Sequence, residues 1–352
     1  MKKIKFVGLL LGLGIVLALT GCNRNENIIR VFNWGNYLDE SILAEFTAQT
    51  GIRVSYSTYA TNEEMHTRLT AGGGGFDLVF PTDYMVERMI REDLLLPINL
   101  ENIPNIRYID QRFRGLEFDP HNVYSVPYKW GTLGILYNTA MVEALAPGMV
   151  VDSWNILWDA RFGGSIFMYY SMRDAFVAPL KLLGYSINTT NPDELFAARD
   201  LLIAQRPLIR AYLGDPIKHS MIGNEAALAM VFSGCAMFTM EFNSDLNFIV
   251  PREGTNVWFD NMVIPRGARN QAGAEAFINF LSDPEIALRN TLYTGFSTTN
   301  WATFALLPEE IRNNPVYWPS DEVIDNSETQ VHVGEFTATW ERAWIEVLAA
   351  RP

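Results

Sequence analysis

The sequence predicts an α/β protein of two domains, each built on a doubly wound sheet with helices on its faces. Three observations carry this. From residue 28 to residue 84 the chain alternates strand, helix, strand, helix, strand, an order that winds a parallel sheet. The same α/β alternation returns between residues 164 and 235. Setting aside a targeting segment over residues 1–21 leaves 331 of 352 residues, enough for two domains of ordinary size.

The elements read as follows. Ile28 to Phe32 is a short apolar strand and Asn33 to Tyr37 a turn. Asp39 and Ser41 cap a helix through Gln49, with Ile42, Leu43 and Phe46 at core spacing, and Gly51 ends it. Ile52 to Tyr56 is a strand, Glu63 to Leu69 a helix, and Asp77 to Phe80 a third strand closed by Pro81-Thr82-Asp83-Tyr84. The glycine run at 72–75 lacks the Gly-Lys-Ser/Thr of a phosphate loop and reads as a link. Ligands of such sheets sit beyond the carboxyl ends of the strands, where Trp34, Tyr37, Asp83 and Tyr84 fall.

Asn122 to Asn138 reads as a long extended segment crossing to a second lobe. There, Ser153 caps a helix through Trp158, Gly164 to Tyr170 is a strand, and a helix runs from Arg173 to Leu183. Asn191 to Gln205 is a further helix, and Met230 to Met237, around Cys235, a buried strand. Met262 to Ile264 returns to the first lobe. Gly273 to Leu281 and Gly334 to Leu348 are helices.

Lys2, Lys3 and Lys5 precede an apolar run from Phe6 to Leu19, too short for an ordinary membrane span and typical of an export signal. Leu19-Thr20-Gly21-Cys22 resembles the bacterial lipobox, which implies cleavage before Cys22 and lipid on its thiol. Losing three lysines takes the formal charge from −13 to −16, which disfavours nucleic acid and attracts cations. Cys235 is then the sole cysteine of the body, so no disulfide forms within it, and it reads as a small core residue. His66, His121, His219 and His332 show no metal-ligand spacing, and no motif calls for a cofactor.

Val257-Trp258-Phe259-Asp260 lies between a turn-forming run and an apolar run. If extended, it points Trp258 and Asp260 to one face. An indole beside a carboxylate receives an organic ammonium, the ring face attracting the cation and the carboxylate neutralising it. A core tryptophan beside a capping aspartate is the plainer reading of the same four residues.

Several stretches in order resemble the spermidine/putrescine-binding proteins of bacterial ABC importers. They are Phe32-Asn33-Trp34-Gly35-Asn36-Tyr37, Phe76 through Tyr84, Val126-Pro127-Tyr128-Lys129-Trp130-Gly131-Thr132, Ser153 through Trp158, Leu183-Gly184-Tyr185-Ser186, Trp258-Phe259-Asp260, Gly273 through Leu281, and Gln330. The resemblance runs from about Val31 to the last helix. It implies a two-lobed periplasmic-binding-protein fold of type II, each lobe a mixed sheet flanked by helices, with ligand in the interlobe cleft. The parts are then residues 1–21 as signal peptide and 22–27 as lipid-anchored linker. Lobe 1 is 28–133 with 261–300, and lobe 2 is 134–260 with 301–352.

The resemblance implies a monomeric, non-enzymatic receptor, exported and lipid-anchored at Cys22, facing the periplasm or cell exterior. It captures polyamine and delivers it to the permease and ATPase of an importer. The family's contact pattern maps onto Trp34, Tyr37, Thr82, Tyr84, Asp174, Phe232, Trp258, Asp260, Phe296 and Gln330. Asn36 and Ser171 stand where relatives often carry acids, and Asp83 is a candidate third carboxylate. Other readings are ferric iron held by Tyr169 and Tyr170 on the same fold, an exported hydrolase, and an adhesive surface lipoprotein.

Overall fold

A computed structural model describes residues 27–72 and 75–350. The signal segment, Cys22 and the linker before residue 27 lie outside the described residues, as do residues 73 and 74 of the glycine run. The strands are β1 (Ile28–Trp34), β2 (Arg53–Tyr59), β3 (Leu78–Val79), β4 (Ser125–Asn138), β5 (Ile166–Tyr169), β6 (Ile209–Leu213), β7 (Leu228–Phe232), β8 (Leu246–Ile249), β9 (Val257–Val263) and β10 (Ser297–Thr298). They lie in the order β2-β1-β3-β9-β4-β7-β5-β6, with β8 and β10 also paired to β4. At one end β1 runs parallel to β2 and β3, and at the other β5 runs parallel to β6 and β7. Antiparallel β4 and β9 join the two ends, which makes the sheet mixed.

Alternation along β1 explains why helices cover both faces of the first lobe. Ile29 and Val31 pack with Ile42, Phe46, Phe277 and Ile278, while Phe32 faces the other way onto Tyr59, Met65, Met85 and Val86. The helix Ser41–Thr50 ends at Gly51, whose φ of 72° only glycine adopts at low cost. Thr61 caps the helix Asn62–Thr70 through the Glu64 amide, and Asn191 caps Pro192–Gln205. The second lobe closes on Leu133, Ile135, Trp154, Phe176, Leu195 and Trp340. Among the described residues no helix is long and apolar enough to cross a membrane.

β4 changes partner midway. Ser125 to Thr132 pair with β9, and Leu133 to Tyr137 pair with β7. Val257 to Asp260 pair with Thr132 to Lys129. Trp301 donates to the Arg107 carbonyl at 3.2 Å and packs 5.9 Å from the Tyr108 ring. The closing helix Thr337–Ala349 lies on the second-lobe core, through Trp340 and Val347.

Three element assignments differ from the expectation. Met230 to Met237 is not one strand: β7 ends at Phe232 and Cys235 lies in the helix Ser233–Phe242. An unbroken apolar run carries no period to separate buried strand from buried helix. Pro81 to Tyr84 is more than a turn, since Asp83 opens a helix to Arg91. Ser153 opens a short 3-10 turn over Trp154–Trp158.

Candidate functional site

A cavity of about 510 Å³ lies between the lobes at the carboxyl ends of the parallel strands. Trp34 ends β1, and Thr58 and Tyr59 end β2. Thr82 follows β3, Tyr169, Tyr170 and Ser171 end or follow β5, Asp215 follows β6, and Phe232 ends β7. Asp174 stands one residue short of the end of the short helix Met172–Ala175.

β9 supplies Trp258 and Asp260, which are two apart on an extended strand and so share a face. Gly131 lies opposite Trp258, and a Cβ there would stand 2.8 Å from the indole, so glycine is what lets the ring lie against β4. The indole meets Phe232 at 5.5 Å and Phe296 at 5.7 Å, both edge-on. Phe296 in turn meets Tyr37 at 4.8 Å. Gly234 accommodates Phe296, whose ring a Cβ would meet at 2.2 Å. On the opposite wall, Trp34 donates its indole N–H to the Phe80 carbonyl at 2.7 Å and tilts against Tyr59 at 4.6 Å.

Asp260 accepts a hydrogen bond from the Tyr37 hydroxyl at 2.5 Å. Among the described residues its Oδ1 and the Trp258 indole N–H have no partner, although both are buried. Burial holds the Asp260 carboxyl well above the usual range, with the nearby Asp83 and Asp174 adding to the rise, while the Tyr37 hydrogen bond and Lys129 oppose it. Burial likewise lifts Asp174 to about 6. Its Oδ1 meets the Gln330 amide at 3.4 Å. An enclosed carboxylate with an unfilled lone pair is stabilised by an incoming cation.

Eleven of the thirteen residues singled out by the sequence line this one cavity: Trp34, Tyr37, Thr82, Tyr84, Ser171, Asp174, Phe232, Trp258, Asp260, Phe296 and Gln330. Asn36 and Asp83 do not. Asp83 is buried behind the wall, where its two oxygens accept the Tyr84 amide at 2.7 Å and the Phe259 amide at 3.0 Å. Backbone amides thus engage both of its oxygens. Asn36, at a φ of 51°, donates its side-chain amide to the Asp215 carboxylate, which does line the cavity.

Sequence reasoning missed Asp215 and Lys129. Asp215 follows β6, a strand that the apolar pattern did not reveal. Lys129 lies opposite Asp260 across the β4–β9 pair and is 2% exposed. Its amine nitrogen is 4.7 Å from the Tyr37 ring centre and 5.7 Å from that of Phe296, and it meets the Thr294 hydroxyl. Tyr169 and Tyr170 both reach the cavity, but burial holds the Tyr169 hydroxyl well above its ordinary value. That opposes the phenolate a ferric site would use.

Comparison with known proteins gives a consistent result. Residues 41–316 match the family model for bacterial extracellular solute-binding proteins. The chain is 33% identical to the spermidine/putrescine-binding periplasmic protein of Escherichia coli K12 over 96% of each chain. It is 31% identical to a putrescine-binding periplasmic protein of Pseudomonas aeruginosa over 85% of this chain and 86% of that one. Among solved structures, a Listeria monocytogenes chain assigned to a spermidine/putrescine ABC transporter superposes with a TM-score of 0.89 at 40% identity, over 92% of this chain and all of that one. A Treponema pallidum lipoprotein superposes with a TM-score of 0.80 at 29% identity, over 91% and 99%.

Proposed function

The chain belongs to the bacterial extracellular solute-binding proteins, and from that premise we propose that it captures a polyamine, putrescine or spermidine, between its lobes and delivers it to an ABC importer. The observation that carries the reading is the Trp258–Asp260 pair. It sets an unpartnered carboxylate oxygen beside an indole face inside an aromatic-walled cavity. Aromatic rings cover the methylene chain, Asp260 takes one ammonium and Asp174 the other. Of the thirteen residues drawn from the sequence we retain eleven as contacts and leave out Asp83 and Asn36. Binding and release, with no bond made or broken, is the whole of the activity.

The remaining parts of the reading are that residues 1–21 are removed on export, that Cys22 carries the lipid, and that the body works as a monomer outside the cytoplasm beside the importer's permease and ATPase. A thermal-shift panel tests the ligand class. Putrescine and spermidine raise the unfolding midpoint, and ferric iron and sugars do not. A midpoint moved by iron or a sugar alone contradicts the proposal.

Two lobes joined by crossings at Thr132–Leu133 and just before Val257 should close by a hinge on ligand. Small-angle scattering should show a smaller radius of gyration at saturating putrescine. An unchanged radius at saturation counts against closure.

Binding should also release protons. In the empty cavity the Asp174 carboxyl is lifted to about 6 and that of Asp260 well above its ordinary value, because burial disfavours their charged forms. A bound ammonium favours those forms, so affinity rises as pH rises through about 6 and falls below it. Calorimetry at pH 6 in buffers of different ionisation enthalpy should report protons leaving. Proton uptake, or no linkage at all, contradicts this account of the two carboxylates.

A further inference from the structure

Four acids line the cavity: Glu64 is exposed at its edge, with Oε2 accepting the Ala60 amide at 2.9 Å, and three aspartates lie deeper with differing surroundings. Asp260 has a free oxygen, and Asp174 meets the Gln330 amide at 3.4 Å and is hydrogen-bonded by the Ser171 side chain. Both oxygens of Asp215 are engaged: Oδ1 pairs with the Lys218 ammonium at 2.5 Å, and Oδ2 accepts from the Asn36 amide. Lys218 sits three residues on, in the helix Ile217–Ile222, and is 5% exposed. The Phe238 ring lies 5.4 Å from its nitrogen, so packing holds the ammonium against Asp215.

We propose that Lys218 is a specificity-determining residue which, by neutralising Asp215, leaves the cavity with two free aspartates and so fits it to a diamine. The proposal rests on the polyamine reading given above. A triamine brings three ammoniums, and each one enclosed requires an anionic partner. Asp260 and Asp174 satisfy two. The third would have to share Asp215 with a lysine already buried there, which sets two cations against one carboxylate. Asn36 does not help, because its neutral amide already donates to the other Asp215 oxygen. Lys218 touches no ligand in this account: it acts through Asp215.

Competition calorimetry with putrescine and spermidine tests it. The wild-type protein should bind putrescine at least as tightly as spermidine. Lys218→Met, close in length and apolar at its tip, frees Asp215. It should shift the putrescine-to-spermidine affinity ratio toward spermidine by about tenfold or more, the worth of one charge-assisted hydrogen bond. The shift should vanish in the double variant Lys218→Met/Asp215→Asn, and Lys218→Arg should keep the wild-type ratio. These readouts follow the ligand's charge count, which loss of packing alone would not move. If Lys218→Met does not fold, Lys218→Gln removes the same charge and should give the same shift. An unchanged ratio in a folded, ligand-competent Lys218→Met or Lys218→Gln overturns this proposal and leaves the polyamine reading standing. A wild-type preference for spermidine also overturns it. Failure of the wild type to bind either amine overturns both.

Discussion

Replacing Asp260 by asparagine is expected to weaken polyamine binding by at least about a hundredfold, since leaving one member of a buried charge pair alone costs about 3–5 kcal/mol. The substitution keeps shape and leaves an acceptor for the Tyr37 hydroxyl, which now holds Oδ2 at 2.5 Å. What disappears is the anion for the ligand's ammonium. The empty protein should not lose stability at neutral pH, because burial already disfavours that charge in the unliganded cavity. Loss of binding with an unmoved or higher unfolding midpoint separates a ligand role from a structural one. Calorimetry and a thermal melt on the same sample give both readings. Binding within about threefold of wild type, well inside the worth of one charge-assisted hydrogen bond, removes Asp260 from the site.

Truncating Trp258 to alanine should cost binding about thirtyfold or more, since a desolvated cation–π contact is worth about 2 kcal/mol and the ring also covers methylene groups. Trp258→Phe should retain much of the affinity, because phenyl keeps an electron-rich face in the same rotamer. The comparison matters because the indole also packs against Phe232 and Phe296. A purely structural tryptophan would lower the melting midpoint without altering the affinity of the fraction that remains folded. Wild-type affinity in a folded Trp258→Ala protein contradicts the cation–π wall.

Lys129 sets a limit on these effects. Burial holds the Lys129 amine well below its ordinary value and the opposing Asp260 carboxyl well above its own, so the empty cavity favours the neutral form of each. The site is therefore less anionic than its aspartates alone suggest. This is the physical reason to expect ligand charge count, rather than total acidity, to decide preference.

Much of this was legible in the sequence because it rests on local rules. The alternation along β1, the cap at Ser153, the left-handed Gly51 and the shared face of Trp258 and Asp260 follow from period and residue type, whereas the first helix has its cap position at Glu40 and not at Asp39 or Ser41. What was not legible depended on partners far along the chain. Asp83 lies at a strand end, where ligand contacts gather, yet the Phe259 amide from β9 takes its oxygen. Asp215 was hidden because β6 is a short edge strand at the end of the sheet. Lys129 reads as a polar interruption of an extended run and gains its meaning only when β9 and β10 lie on either side of it. Cys235 moved from strand to helix because its apolar surroundings have no period.

If Trp258 and Asp260 form the receptor for one end of a polyamine, a calorimetric titration of the unliganded protein with putrescine at pH 7.5 shows saturable binding at one putrescine per chain, lost on Asp260→Asn. Heats no larger than dilution, or saturation unchanged by Asp260→Asn, would contradict it.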